Sequence, residues 1–314
     1  HEHPKYNGSH WARKSWFFMD DLILCLGSDI ENNDRDHETF TTLFQCALEK
    51  DLKGKVTYLE NHALEESPEE LRLTLEKATY LLDPASNAYF IPAGQDLVFS
   101  QKLQHAKSPI TSEPTEGHFA KARLCHGKAP KSGRYTYVLR PQTSREEATA
   151  LSNILQDDEP FTIYRQDKGA HVVYDRKQNT MQYVLFEAGE VLIDGADRFL
   201  CHTDTPCLVM EHREKGPDGR SFLHLDISDP DLRLYEGKDR SQYDRDGKRQ
   251  EVSVYSRPWL NNESMAHKMT LTLEGQWDLE KDPAAGVRHE GGKSYLDLTT
   301  LDAGVYHLTL KAID

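Results

Sequence analysis

The sequence is short of what would make it a membrane protein, a nucleic-acid binder or a disulfide scaffold. None of its 314 residues fall in a run approaching the ~18 consecutive apolar side chains that a membrane-spanning helix needs, so no membrane partner is expected. Basic residues are in deficit: 38 Lys and Arg stand against 52 Asp and Glu, a formal net charge of −14. A surface of that sign repels a phosphate backbone, which argues against nucleic acid as a partner. The same field opposes any polyanion, which would have to be held by a local basic groove. Cysteine is scarce and odd in number. Cys25, Cys46, Cys125, Cys201 and Cys207 contain no C-x-x-C pair, and they read as free thiols packing as small hydrophobes.

The common motifs of catalysis are missing as well. There is no P-loop, no G-x-G-x-x-G at a strand-to-helix turn, no G-x-S-x-G and no H-E-x-x-H. Paired carboxylates abound, but among 52 acidic residues adjacency in sequence does not mark an acid/base dyad. The opening HEHPKYNGSH has neither an initiator Met nor an apolar core segment, so no signal peptide is read there and the chain reads as the later part of something longer. Its histidines lack a partner motif for zinc, and His1 to His10 reads as a solvated connector.

What is present is strand after strand. With 37% hydrophobic and 9% aromatic residues, the chain has the material for a folded core. Ser15 to Phe18 and Leu22 to Leu26 are β-rich runs separated by Asp20-Asp21, and they predict a strand pair whose second member is buried on both faces. Thr39 to Gln45, Val56 to Leu59, Leu71 to Leu75, Tyr80 to Leu82, Ala88 to Ile91, Leu97 to Gln104, Phe119 to His126 and Tyr135 to Leu139 continue the series. One helix is predicted over Ser144 to Leu155, with Ser144 and Glu147 as a capping box and Ala148, Leu151 and Leu155 as its apolar stripe. Strands resume at Phe161 to Arg165, His171 to Asp175, Met181 to Glu187, Gly189 to Ile193, Arg198 to His202, Cys207 to His212 and Ser221 to Ile227. They close with Glu251 to Tyr255, Met269 to Leu273, Ser294 to Leu298 and Val305 to Leu310. Leu232 to Lys248 is polar and reads as an exposed connection. Ser256 to His267 and Asp278 to Gly292 read as loops.

The expected fold is therefore all-β: an antiparallel multi-sheet β-sandwich followed by a smaller C-terminal β-sandwich, with one short helix between. The helix marks the junction, near Gln156 to Glu159, and gives domains of 1–157 and 158–314. The most basic local run is Lys121, Arg123, His126, Lys128, Lys131 and Arg134. Lys121, Arg123, His126 and Arg134 are the candidate contacts for sulfate or carboxylate groups, since Arg and Lys suit such oxyanions. A solvated strand face with a hairpin tip is the alternative. Asp226, Asp229 and Asp231 around Pro230 lack the spacing of a calcium loop.

Two strings carry a family resemblance. One is Lys14-Ser15-Trp16-Phe17-Phe18, Asp20, Leu26-Gly27-Ser28 and Ile30, followed by Thr39, Thr41-Thr42-Leu43-Phe44-Gln45. The other is His126-Gly127, Pro130 and the strand Tyr135-Thr136-Tyr137-Val138-Leu139. Together they resemble the central β-sheet domain, or supersandwich, of the polysaccharide lyases that cleave chondroitin, dermatan and hyaluronan, and are most similar to the chondroitin sulfate ABC lyases. The resemblance runs from about His3 to the C-terminus.

It implies a glycosaminoglycan partner, β-elimination to unsaturated uronates, and a secreted or periplasmic location. It also implies a second partner, the N-terminal helical catalytic domain of the same protein, which has no counterpart in these residues. Acid/base groups in such chemistry sit within hydrogen-bond reach of the sugar. In the family these are His, Tyr and Arg residues of the helical domain with a Glu from the sheet domain, and none maps onto this sequence, so no catalytic residue is assigned. No cofactor is required, and a divalent cation such as calcium is compatible with the family. A non-catalytic polysaccharide-binding or structural β-sandwich module is the competing reading.

Overall fold

A computed structural model describes residues 9–108, 110–193, 195, 198–217, 219–233, 264–280 and 285–313. The chain divides into two compact units, His1–Thr162 with Gln166–Lys168, and Ile163–Arg165 with Gly169–Asp314. In chain order the first unit contains β1 (Trp11–Met19), β2 (Leu22–Glu31), β3 (Glu38–Ala47), β4 (Thr57–Leu59), β5 (His62–Leu64), β6 (Leu71–Thr74), β7 (Thr79–Leu82), β8 (Ala88–Ile91), β9 (Asp96–Lys107), β10 (Pro114–Lys128), β11 (Gly133–Arg140) and the helix α1 (Arg145–Asp157). Seven strands form one antiparallel sheet in the order β1-β2-β11-β8-β7-β4-β5, and four form a second, β3-β10-β9-β6.

The β1–β2 hairpin shows why these residues fold this way. Met19 pairs with Leu22, so Asp20-Asp21 is a two-residue loop. Such tight loops need a left-handed residue, and Asp20 supplies it at φ 52°, a conformation its short polar side chain tolerates. Along β1, Ser15, Phe17 and Met19 are buried while Lys14, Trp16 and Phe18 are more open, the period of two of a strand with one covered face. On β2 the alternation vanishes, because Leu22, Leu24, Cys25 and Leu26 are all buried.

The two sheets of the first unit share a core built on Leu81, Ile91, Leu97, Phe99, Ala120, Ala122 and Leu124. Burying each larger side chain fully contributes about 1.5–3 kcal/mol. Through this core runs a ladder of rings, with centroids 5.2 Å apart for Phe44–Tyr89, 6.2 Å for Tyr89–Tyr137, 5.8 Å for Tyr137–Tyr135 and 6.2 Å for Tyr135–His126. Gly27 makes room for it, since a Cβ there would lie 2.0 Å from the Tyr135 ring. The helix starts as its sequence predicts: Ser144 Oγ accepts from the Glu147 N–H, and the Glu147 carboxylate accepts from the Ser144 N–H. Ala148 and Leu151 are buried, whereas Leu155 is only half-buried. Thr149 Oγ1 meets the Tyr80 hydroxyl at 2.8 Å.

The remaining strands are β12 (Phe161–Gln166), β13 (Ala170–Asp175), β14 (Thr180–Leu185), β15 (Gly189–Glu190), β16 (Leu200–Thr203), β17 (Cys207–Lys215), β18 (Ser221–Ser228), β19 (His267–Glu274), β20 (Trp277–Leu279), β21 (Ala285–Glu290), β22 (Lys293–Thr300) and β23 (Val305–Ala312). They make a seven-stranded sheet, β12-β13-β14-β17-β18-β23-β20, and a five-stranded one, β15-β16-β19-β22-β21. Tyr183, Leu223, Leu225, Ile227, Leu271, Leu273 and Leu296 form the centre of the core they share.

Four local expectations are corrected. The predicted loop Asp278 to Gly292 contains the end of β20 and all of β21. β21 is an edge strand with few apolar residues, so it carries no alternation to read. β9 runs on to Lys107 and β10 begins at Pro114, because their far ends form an exposed hairpin held by backbone pairing with little apolar burial. β5 is a strand that the sequence does not signal, for the same reason: its three residues are largely exposed. The predicted strand Gly189 to Ile193 shrinks to Gly189–Glu190. The predicted strand Glu251 to Tyr255, the stretch His1 to Gly8, and most of the connection Leu232 to Lys248 and of the loop Ser256 to His267 lie outside the described residues.

Candidate functional site

The basic run of β10 and β11 is distributed by strand parity. Ala120, Ala122 and Leu124 point into the core of the first unit, so Lys121 and Arg123 share the opposite face of the four-stranded sheet. Across that face β10 pairs with β3 and β9, and β9 with β6, setting Arg123 opposite Val98 and Val98 opposite Arg72. The result is a ladder of alternating charge. Arg72 donates to both oxygens of Glu38, at 2.9 and 2.8 Å, and reaches Glu70 at 3.3 Å. Arg123 Nη2 donates to the other Glu70 oxygen at 2.6 Å. The guanidinium of Arg123 also lies 4.0 Å from the centre of the Phe40 ring, a cation–π contact.

This pairing governs what each cation can do. The Arg72 hydrogen bonds hold the Glu38 carboxyl below its usual range and raise Arg72 further above its own. Two arginines are matched by two carboxylates, so Arg123 is occupied by Glu70 and Phe40. Lys121 has no hydrogen-bond or ion-pair partner among the described residues, and its pKa is lowered first by burial and then by the charge of Arg123. Of this face, Lys121 is the group best placed to meet an added anion.

His126 and Arg134 lie elsewhere. His126 has the parity of Leu124 and turns inward, with Nε2 2.8 Å from Thr41 Oγ1 and its ring beside Tyr135. Burial, followed by the charges of Lys14 and His10, holds it below the ordinary histidine value. Arg134 is exposed on β11, in the other sheet. Lys131 Nζ donates to Asn33 Oδ1 at 3.1 Å. The four candidates thus include two on one face, one turned to the core and one on a different sheet. Glu38, Glu70 and Arg72, which decide what Arg123 does, are missed by sequence reading. Their only local signal is the alternation of charge around Leu71, and Glu70 lies 53 residues from the arginine it neutralises.

Among the described residues no group of three or more His, Cys, Asp or Glu side chains is arranged to hold a metal ion. The three aspartates around Pro230 are engaged by protein groups, Asp229 and Asp231 sharing Arg233. Asp226 contacts His307 Nδ1 at 2.5 Å, while Asp229 accepts from the Asp231 N–H at 3.0 Å and from Arg233 Nε at 3.2 Å. No helix among the described residues is long and apolar enough to cross a membrane.

Comparison with known proteins places this framework. The chondroitin sulfate ABC exolyase of Bacteroides thetaiotaomicron is 36% identical over 313 residues, which is 99% of this chain and 28% of that protein. The chondroitin sulfate ABC exolyase of Proteus vulgaris is 34% identical, over 96% of this chain and 29% of that protein. The chain therefore spans under a third of the length of these curated relatives. A xanthan lyase from Paenibacillus superposes with a TM-score of 0.67 at 15% identity, covering 96% of this chain and 26% of that one, a likeness of fold alone. Residues 4–152 match the polysaccharide lyase family 8 super-sandwich domain, the stretch that carries both sheets of the first unit, the ring ladder and the charge ladder. By that match, residues 4–152 are similar to the super-sandwich domain of polysaccharide lyase family 8, and the chain over nearly its whole length is similar to chondroitin sulfate ABC exolyases.

Proposed function

We propose that this chain is the β-sheet portion of a glycosaminoglycan lyase that cleaves chondroitin and dermatan sulfate, with hyaluronan within the same chemistry. The observation that supports this reading is the 36% identity to a chondroitin sulfate ABC exolyase along 99% of the chain. In the reaction, a base takes the proton α to the uronate carboxylate. The electron pair left behind forms the new C=C bond, the glycosidic C–O bond breaks, and an acid protonates the departing oxygen. Such transfers need groups of matched pKa held at the sugar. We assign those groups to a helical domain and an upstream part of the sheet domain outside these 314 residues, and to this chain the role of supporting sandwich and one wall of the substrate path. A polymeric acidic substrate of this kind fits a secreted or periplasmic enzyme.

The test is the ultraviolet absorbance of the unsaturated uronate. A protein carrying this chain together with its helical domain is expected to generate it from chondroitin sulfate, and the 314-residue chain by itself is expected not to. Signal from the isolated chain would overturn the assignment of catalysis to other segments. Silence from the longer protein would overturn the lyase reading and favour a non-catalytic binding or structural module.

A further inference from the structure

The core face of the first unit's larger sheet runs on to β1, but its cover does not. Trp16 stands opposite Cys25 and Cys25 opposite Tyr137; one row along, Phe18 stands opposite Ile23 and Ile23 opposite Leu139. Residues directly opposite in a sheet share a face. Trp16 and Phe18 therefore lie on the face that carries Cys25 and Tyr137 of the core, against which Ile23 and Leu139 also pack. Burial stops abruptly along these rows. Tyr137 is 8% exposed and Cys25 1%, but Trp16 is 53% exposed and Phe18 71%. The two layers are unequal: seven strands stand against four, and β1 is at the edge of the seven.

The strand itself is written for burial on both sides. Phe17 and Met19, on its other face, are 2% and 5% exposed. A strand with one face in water alternates apolar and polar residues, whereas an unbroken apolar run marks a strand covered on both faces. Trp16-Phe17-Phe18-Met19 is a run of the second kind, and so is Leu22 to Leu26 of β2. Only β2 has the burial to match. A long apolar edge strand is a ready site for a further strand or layer to dock. β1 is nine residues long and, among the described residues, has no strand on its outer side.

The occupant this face fits is more of the same sandwich. The missing layer would continue a core that already lies between two sheets, and it has to offer apolar side chains to two aromatic rings. The chain spans under a third of the length of its curated relatives, which therefore hold ample further polypeptide to supply one. We propose that Trp16 and Phe18 are core side chains of the intact sheet domain, covered by a strand layer from the part of that domain outside these 314 residues. The identity of the cover rests on the reading of this chain as a portion of a longer lyase; the uncovered core face does not.

The experiment is hydroxyl-radical footprinting, read by mass spectrometry, of the 314-residue chain and of longer proteins containing it, with and without the helical domain. Both rings should be oxidised readily in the 314-residue chain. In either longer protein Phe18 should react roughly tenfold more slowly or less, the scale set by its 71% exposure against the 2% of Phe17 and 5% of Met19. Phe18→Asp should leave the melting temperature of the 314-residue chain unchanged and lower that of the longer proteins by about 4 °C or more. Equal oxidation in short and long proteins overturns the inference, and so does protection that appears only when the helical domain is present. Rings that already resist oxidation in the 314-residue chain also overturn it, since a second copy would then be the cover. Protection of that chain by added chondroitin sulfate would overturn it in favour of a saccharide platform. None of these readouts uses activity: an active lyase with both rings reactive refutes this inference alone, and an inactive longer protein with both rings shielded refutes only the lyase reading.

Discussion

The carboxylate of Glu211 is sealed beneath the guanidinium of Arg213, two residues along the same strand: Oε1 lies 2.8 Å from Nη2 and 3.2 Å from Nε. Glu211 is 1% exposed, and its other oxygen accepts from the Tyr183 hydroxyl at 3.0 Å and from the Leu200 N–H at 3.1 Å. The Arg213 guanidinium in turn lies 4.4 Å from the centre of the Phe199 ring, which packs edge-on against Trp277. Removing one member of a buried pair leaves the other's charge uncompensated. Arg213→Met should therefore destabilise the fold by about 3–5 kcal/mol, read by urea unfolding. The double variant Arg213→Met, Glu211→Leu should cost less than the two single changes added together. Additive losses would show that the two side chains are not coupled.

Gly27 is fixed by the ring that lies over it. Its absent Cβ would sit 2.0 Å from Tyr135 Cε1, and Tyr135 cannot swing away freely because it stacks on Tyr137 and packs beside His126. Gly27→Ala should lower stability by about 1–3 kcal/mol, the usual cost of overpacking. Tyr135→Leu in the same chain should recover part of that loss, because it removes the obstructing ring. Thermal melts of the two variants check this, and a Gly27→Ala protein as stable as the parent would contradict it.

These two sites also show what the sequence made legible. The alternation C-L-V-M-E along β17 sets Glu211 on the same face as Val209, so its burial can be read from parity. Its partners cannot, since Tyr183 stands on β14 and the Leu200 N–H on β16. Likewise the parity of β10 separates Lys121 and Arg123 from His126, but nothing near Arg123 announces that Glu70 will neutralise it. The capping box of α1 was legible because every atom of it lies within four residues. Edge strands such as β21 were not, because a strand exposed on one side has no need of the apolar pattern by which strands are recognised. Long-range polar pairs and exposed strands are the two things local pattern does not encode.

The acid side of the stability profile should carry the signature of His126. Its folded-state pKa is lowered, by burial first and then by Lys14 and His10, so as the pH falls the unfolded chain takes up the proton before the folded one does. Stability is then lost from about pH 6.5, the ordinary histidine value, down to the depressed native one. Above that window the ring is neutral in both states and contributes no pH dependence. His126→Gln retains a hydrogen-bonding side chain for Thr41 but does not titrate. The parent's melting temperature should therefore fall more steeply between about pH 7 and about pH 5 than the variant's; parallel curves would refute the assignment.

The cysteines give a probe of both cores at once. Cys25 and Cys207 are each 1% exposed, and burial pushes their thiols up to about 11 and about 12. The thiolate is the reactive form, so both steric access and ionisation protect these two. Cys46, Cys125 and Cys201 are only half-buried, and no cysteine is in a disulfide; burial raises these three thiols too, that of Cys46 to about 11, so steric access is what sets Cys25 and Cys207 apart. In mildly alkaline buffer an aromatic disulfide reagent should label the half-buried thiols of the native protein while Cys25 and Cys207 stay unmodified, and all five should react once urea unfolds the chain. Because Cys25 belongs to the first unit's core and Cys207 to the second's, the urea concentration at which each becomes reactive reports the two units separately. Equal labelling rates for Cys25 in the native and unfolded protein would mean that the packing of β2 between β1 and β11 is not maintained in solution.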